Sequence, residues 1–185
     1  MTWIAVDGVV WDTMPGMLKI DGLSFLDWKP ITLEVAPGEV VGIAGASGSG
    51  KSLLLRAVAD LDLHLGSVAL DGIDCGSIPA PQWRRKVAML PAESRWWFTT
   101  VGEHFLDREA GLVGELGFGA DVFDWEISRL SVGERQRLAL ARLLDRDPEF
   151  LLLDEPTANL DADTTRRVEA VILATGLPAL WVSHD

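Results

Sequence analysis

Apolar residues along this chain fall into short runs cut by glycine, proline and charged turns, and the spacing within the runs changes along the sequence. Leu18 to Phe25, Ile31 to Val35 and Val68 to Leu70, punctuated by Pro37-Gly38 and Asp71-Gly72, predict antiparallel strands joined by turns. Val40 to Ala44, Val87 to Leu90, Phe150 to Leu153 and Ala179 to Val182 read instead as buried strands. Phe150 to Leu153 is apolar at every position, as a parallel strand covered on both faces requires. Between them, Lys51 to Leu61, Glu134 to Leu144 and Asp163 to Leu173 predict helices, with Leu138, Ala141 and Leu144 along one side of the second. An α/β fold follows: a parallel-sheet core preceded by an antiparallel β subdomain. From Ser94 to Arg129 the pattern changes, with Glu103, Asp107, Arg108, Glu109, Glu115 and Asp121 scattered among glycines and aromatics, and a short helical insertion is expected over about 93–145. There are no internal repeats, low-complexity tracts or sustained heptads.

Composition narrows the classes. The 185 residues, 48% of them hydrophobic, suffice for one sizeable core, so a single domain over 1–185 with a small insertion is expected. With 16 basic and 28 acidic residues the net charge is −12, which offers no attractive field to a phosphate backbone, and no nucleic-acid partner is expected. The single cysteine, Cys75, has no internal disulfide partner, and no apolar run approaches the roughly 18 residues of a membrane span. Met1 to Val10 carries Trp3, Ile4 and Val6 but neither a basic start nor a long apolar stretch, so no secretory signal is read. A cytoplasmic chain is predicted; any membrane work needs a partner that spans the membrane.

The chemistry sits at the ends of the buried strands. Gly45-Ala46-Ser47-Gly48-Ser49-Gly50-Lys51-Ser52 fits G-x-x-x-x-G-K-[ST], with the strand before it and the helix after it that this phosphate loop requires. Its glycines let backbone N–H groups turn inward around phosphates, Lys51 reaches the outer phosphates, and Ser52 supplies an oxygen to Mg²⁺. The strand Phe150 to Leu153 ends in Asp154-Glu155-Pro156, and the carboxyl ends of parallel strands face a ligand held at such a loop. Asp154 suits an outer-sphere or water-mediated Mg²⁺ contact, and Glu155 suits orienting and deprotonating a water that attacks the γ-phosphate. Leu130-Ser131-Val132-Gly133-Glu134 opens a helix, and Ser131 with Glu134 forms a capping box, which by itself describes an ordinary helix start. A helix N-terminus with Gly133 allowing close approach is also a second anion site, about twenty residues before the acidic strand, and its natural use is another subunit's ATP.

Together these segments resemble the nucleotide-binding domain of the ATP-binding cassette (ABC) family, a P-loop NTPase fold. Gly45 to Ser52 matches its Walker A loop, Leu130 to Gln136 its signature, Phe150 to Glu155 its Walker B strand, Ala158-Asn159-Leu160-Asp161 its D-loop and His184 its switch histidine, in order over roughly Leu18 to Asp185. The resemblance implies a head-to-tail homodimer sandwiching two MgATP, each held by one subunit's Walker A loop and the other's signature. It implies that Ser131 and Gly133 contact the γ-phosphate in trans, that Asp161 tunes the dimer interface, and that Lys51, Glu155 and His184 are catalytic, His184 by sensing the γ-phosphate. It implies hydrolysis coupled to transport through a separate integral membrane subunit, with this chain peripheral at the inner face of the membrane. Arg84-Arg85-Lys86-Val87 and Leu180 to Asp185 are loosely similar to small subunits assigned to metal or iron export.

Some positions depart from the pattern. The family's glutamine after the strand Val87 to Leu90 falls at Ala92 in Pro91-Ala92-Glu93, with Glu93 one residue away as the substitute. The aromatic expected to stack on adenine aligns best with Phe25, Trp28 being the other candidate. The insertion from Ala92 to Leu130 is shorter than usual. Trp96, Trp97 and Phe98 are read there as buried packing before an anchoring surface. The sequence stops at Asp185, where relatives continue with another strand and helix, so a shortened or a naturally minimal unit is expected. Two other functions stand beside the transporter reading. A soluble ATPase of the superfamily acting on nucleic acid or ribosomes lacks here its coiled coils and basic arms; a nucleotide-gated module of weak turnover is motivated by Ala92 and opposed by Lys51, Asp154, Glu155 and His184.

Overall fold

A computed structural model describes residues 16–25, 28–108 and 110–183. Residue contacts divide it into two compact units: Met1–Met89 with Glu149–Asp154 and Leu177–Asp185, and Leu90–Pro148 with Glu155–Gly176.

The first unit runs β1 (Leu18–Ser24), β2 (Ile31–Val35), β3 (Val40–Ile43), α1 (Lys51–Val58), β4 (Leu65–Leu70), β5 (Ile73–Asp74), α2 (Ala80–Lys86), β6 (Val87–Leu90, its last residue counted with the second unit), β7 (Phe150–Asp154) and β8 (Ala179–Val182). Strands β2-β1-β4-β5 form one sheet, antiparallel at each pairing, and β1 buries Leu18, Ile20 and Leu23 while Lys19 and Asp21 stay exposed. The second sheet has the order β3-β8-β7-β6, and β8 runs parallel to both β3 and β7. Its register places Ile43, Val182 and Asp154 level with one another at the carboxyl ends. Every residue of β7 is buried, Phe150 to Leu153 as their apolar run demands and Asp154 with them at the strand's end. One core joins both sheets and the helices: Leu18, Ile20 and Val68 meet Leu54 and Leu55 of α1, Trp83 of α2, and Phe150, Leu152 and Leu180 of the parallel strands. The Trp83 indole N–H donates to the Val58 carbonyl at 2.9 Å, so the largest buried side chain is also satisfied. The helix α2 has no counterpart among the expected elements, because it buries Trp83 alone and its seven residues carry no apolar period.

The second unit holds α3 (Ala110–Glu115), α4 (Val132–Leu144) and α5 (Ala162–Ala174), with single 3₁₀ turns at Val101–His104, Ala120–Asp124 and Ile127–Arg129. Leu138, Ala139, Leu140, Ala141 and Leu143 form the buried face of α4. Val168, Val171 and Ile172 do so for α5. Among the described residues no helix is long and apolar enough to cross a membrane.

Candidate nucleotide site and signature helix

The loop between β3 and α1 is built for an anion. Gly50, the residue before α1, sits at φ +93°, no side chain caps the helix, and no acidic residue lies in its first turn. Its leading N–H groups lack intrahelical acceptors, and the helix dipole adds partial positive charge there. By contrast α4 and α5 are capped by Ser131 and Asp161, with Glu134 and Asp163 in their first turns. Lys51, only 6% exposed, donates from Nζ to the carbonyls of Gly45 (2.6 Å) and Ala46 (3.1 Å), which brings its ammonium back over its own loop. Ser47, Gly48 and Ser49 are exposed, and so is Ser52 on the first turn. Gly50 is required twice over: its positive φ is strained for any side chain, and a Cβ there would lie 2.8 Å from the Trp28 ring.

Asp154 closes β7, level with Ile43, from which the loop departs. Two strand spacings separate them, about 10 Å. The side chain is 4% exposed and its Oδ1 is buried with no hydrogen-bond partner among the described residues. A buried orphan carboxylate oxygen is unfavourable unless a cation or a water completes it. Asp154 and the exposed Ser52 hydroxyl each offer an oxygen of the kind Mg²⁺ takes, so the donor chemistry of these residues fits the ion that the family implies. Glu155 follows with φ +51°, a left-handed conformation that costs a side-chain-bearing residue about 1–2 kcal/mol and that concentrates at functional sites.

In the second unit the expected capping box of α4 is present in both directions: Glu134 N–H donates to Ser131 Oγ (3.2 Å), and Ser131 N–H to the Glu134 carboxylate (2.8 Å). That bond from the Ser131 N–H holds the Glu134 carboxyl below the usual range. Ser131 Oγ accepts from the Glu134 N–H and its hydroxyl helps hold the Glu134 carboxylate, while the leading N–H groups of Val132 and Gly133 have no intrahelical acceptor. A Cβ on Gly133 would lie 2.9 Å from Leu160 Cδ2, so the close approach that this glycine permits is to the D-loop of its own unit. Asp161 caps α5 by accepting from the N–H groups of Asp163 (3.0 Å) and Thr164 (2.9 Å), and the Thr164 N–H leads in lowering its pKa.

Phe25 and Trp28 stack with centroids 5.0 Å apart, but Phe25 is 6% exposed within the core whereas the half-buried Trp28 lies against Gly50. The ring at the phosphate loop is therefore Trp28's, and Phe25 supports it from beneath. Ala92 and Glu93 are exposed in the loop after β6. Buried Gln136 of α4 reaches that loop, donating from Nε2 to the Pro91 carbonyl at 3.3 Å, a tie no local pattern announces. Trp97 and Phe98, expected to be buried, are 61% and 50% exposed: each meets His104 and the other, and Arg142 lies over Trp97, but much of both rings stays open. His184, and the segment containing Trp3, Ile4 and Val6, lie outside the described residues.

A family model described as ABC transporter matches residues 28–158, and the chain belongs to that family. It is 41% identical over 174 residues to Protein STAR1 of Oryza sativa subsp. japonica, a match covering 85% of this chain and 50% of the rice protein. It is 35% identical to Phosphonates import ATP-binding protein PhnC 2 of a Synechococcus strain, covering 91% of this chain and 76% of that protein. Among solved structures it resembles a bacterial Atm1-family ABC exporter with ATP bound, with TM-score 0.78 and 25% identity over 92% of this chain and 35% of the exporter chain. The chain thus spans between half and about three-quarters of these two curated relatives, and about a third of the exporter.

Proposed function

We propose that this chain binds MgATP at Gly45–Ser52, hydrolyses it, and serves as the ATPase subunit of a transporter whose membrane-spanning part is a separate polypeptide. The observation that carries this reading is the uncapped start of α1, with Lys51 turned over its loop and an Asp154 oxygen, without a partner among the described residues, at the level of the loop's origin.

In this reading the β- and γ-phosphates displace the Gly45 and Ala46 carbonyls from Lys51, and backbone N–H groups at the head of α1 take the remaining oxygens. Trp28 is the ring offered to adenine, in place of Phe25. Ser52 and Asp154 hold Mg²⁺, which when bound offsets negative charge on the phosphates. Glu155 orients a water and takes its proton as the water oxygen bonds to the γ-phosphorus; the bond from that phosphorus to the bridging oxygen breaks, and ADP departs with the electron pair. The strained backbone at Glu155 fits a group held in place for chemistry rather than for stability. Ser131 and Gly133 complete the site of a facing copy through the helix-start N–H groups, the Ser131 hydroxyl turning from the Glu134 carboxylate to the arriving phosphate, Asp161 borders that interface, and His184 senses the γ-phosphate. The protein works at the inner face of the membrane with an integral partner that carries the substrate.

Purified chain is expected to turn over ATP only with Mg²⁺, and Lys51→Ala to lose ATP binding. Glu155→Gln is expected to run as a dimer in gel filtration with MgATP and as a monomer after EDTA. A Glu155→Gln protein that binds ATP yet stays monomeric would reject the sandwich, and unchanged ATP affinity in Lys51→Ala would reject the loop.

A further inference from the structure

His104 sits in a cage that the nucleotide chemistry does not use. The side chain is 3% exposed at the end of the turn Val101–His104, inside the second unit. Its Nε2 lies 3.1 Å from the Trp97 N–H nitrogen and 3.0 Å from that of Phe98, while Nδ1 lies 2.9 Å from the Thr100 carbonyl oxygen. A nitrogen facing two donors accepts, and a nitrogen facing a carbonyl donates. The network therefore assigns the neutral ring with its proton on Nδ1. Trp96, Trp97 and Phe98 surround it edge-on, with centroids at 4.8, 4.9 and 5.1 Å. Arg142 of α4 stacks over Trp96 at 4.3 Å and Trp97 at 4.9 Å and donates to the Arg95 carbonyl at 3.0 Å.

A second proton on this ring would meet a hostile arrangement. It would place an N–H on Nε2 against two N–H donors, so both accepted bonds would be lost and neither donor would have an acceptor. The new cation would be sealed among three rings close to Arg142, itself a strained cation whose pKa burial lowers to about 10. The charged groups acting on the ring are Arg142, which opposes protonation, and Glu103, which favours it weakly because its exposed carboxylate is already taken by the Thr100 N–H and hydroxyl. Burial is the largest influence and holds His104 below its ordinary 6.5.

We propose that His104 is a proton-operated latch on the segment Trp96–Thr100: neutral, it pins two backbone N–H groups and the aromatic rings in one arrangement, and protonated, it lets them go. The half-exposed Trp97–Phe98 face is then ordered only in the neutral form. The latch rests on contacts within one unit and is independent of ATP turnover.

Nuclear magnetic resonance of the intact chain, titrated from about pH 8 to about pH 5, tests it directly, because imidazoles titrate in this range. The His104 ring is expected as the Nδ1–H tautomer at the alkaline end, and the Trp97 and Phe98 amide signals to move with a midpoint shared with the ring and lying below 6.5. In parallel, His104→Gln, which keeps an acceptor oxygen and cannot titrate, is expected to abolish the matching change in tryptophan emission. A ring that stays neutral to the acid end, amides that ignore its titration, or an emission change that survives in His104→Gln would each overturn the latch. Should the glutamine variant fail to fold, the resonances of the unmodified chain decide the question.

Discussion

At the scale of single residues, the phosphate loop separates strain from crowding. Gly48 and Gly50 both have positive φ, +74° and +93°, but a Cβ on Gly48 meets nothing within 4 Å while one on Gly50 runs into Trp28 at 2.8 Å. Gly48→Ala should therefore cost only the left-handed penalty, about 1–2 kcal/mol. Gly50→Ala adds the displacement of an aromatic ring, about 1–3 kcal/mol more. Urea denaturation of the two variants should show that difference, and Gly50→Ala should also weaken ATP binding because Trp28 is pushed from the loop; equal stabilities would mean the ring moves freely. The loop was readable from sequence because each residue's task is set by its immediate neighbours. The cage at His104 was not, since it joins Trp96 to His104 with Arg142 of a distant helix, and no short spacing encodes that meeting.

Among the elements, α4 carries two demands on one residue. As a cap, Ser131 stabilises the helix by about 1 kcal/mol, and Ser131→Ala should lose that amount in chemical denaturation whether or not nucleotide is present. Ser131→Asp keeps an accepting oxygen and so the cap, but sets a negative charge where a facing copy's γ-phosphate is proposed to arrive. It should match the wild type in stability and fail to support the ATP-driven dimer in the Glu155→Gln background. A dimer that forms normally in the Ser131→Asp variant would leave the capping role as the whole role of this serine. Helix α4 and strand β7 were legible because their buried faces follow the helical and all-apolar patterns; α2 was hidden because a single tryptophan anchors it.

For the molecule as a whole, the shifts of the groups that titrate on the acid side point one way. His104 is held below 6.5 by burial, so the unfolded chain binds more protons beneath that pH, and the stability it contributes is complete above 6.5 and lost as pH falls toward the folded value. Asp62, held down by its hydrogen bond from Arg56, and Glu103, Glu134 and Asp161, held down by backbone N–H groups, contribute stability that is present above their ordinary values of 3.8 for Asp and 4.5 for Glu and lost as pH falls further. Urea midpoints should thus decline in two stages on acidification, and His104→Gln should remove the first stage alone. Sequence made the parallel core, the loop and the capping box legible because these are local or periodic; Gly133 against Leu160 and Gln136 beneath Pro91 came only with tertiary placement. The ammonium of Lys51 spends two of its three N–H donors on carbonyls of its own loop among the described residues. A guest oxygen can therefore make its first contact with that nitrogen before either carbonyl is given up, so the cation is held ready and exchanges its partners one at a time.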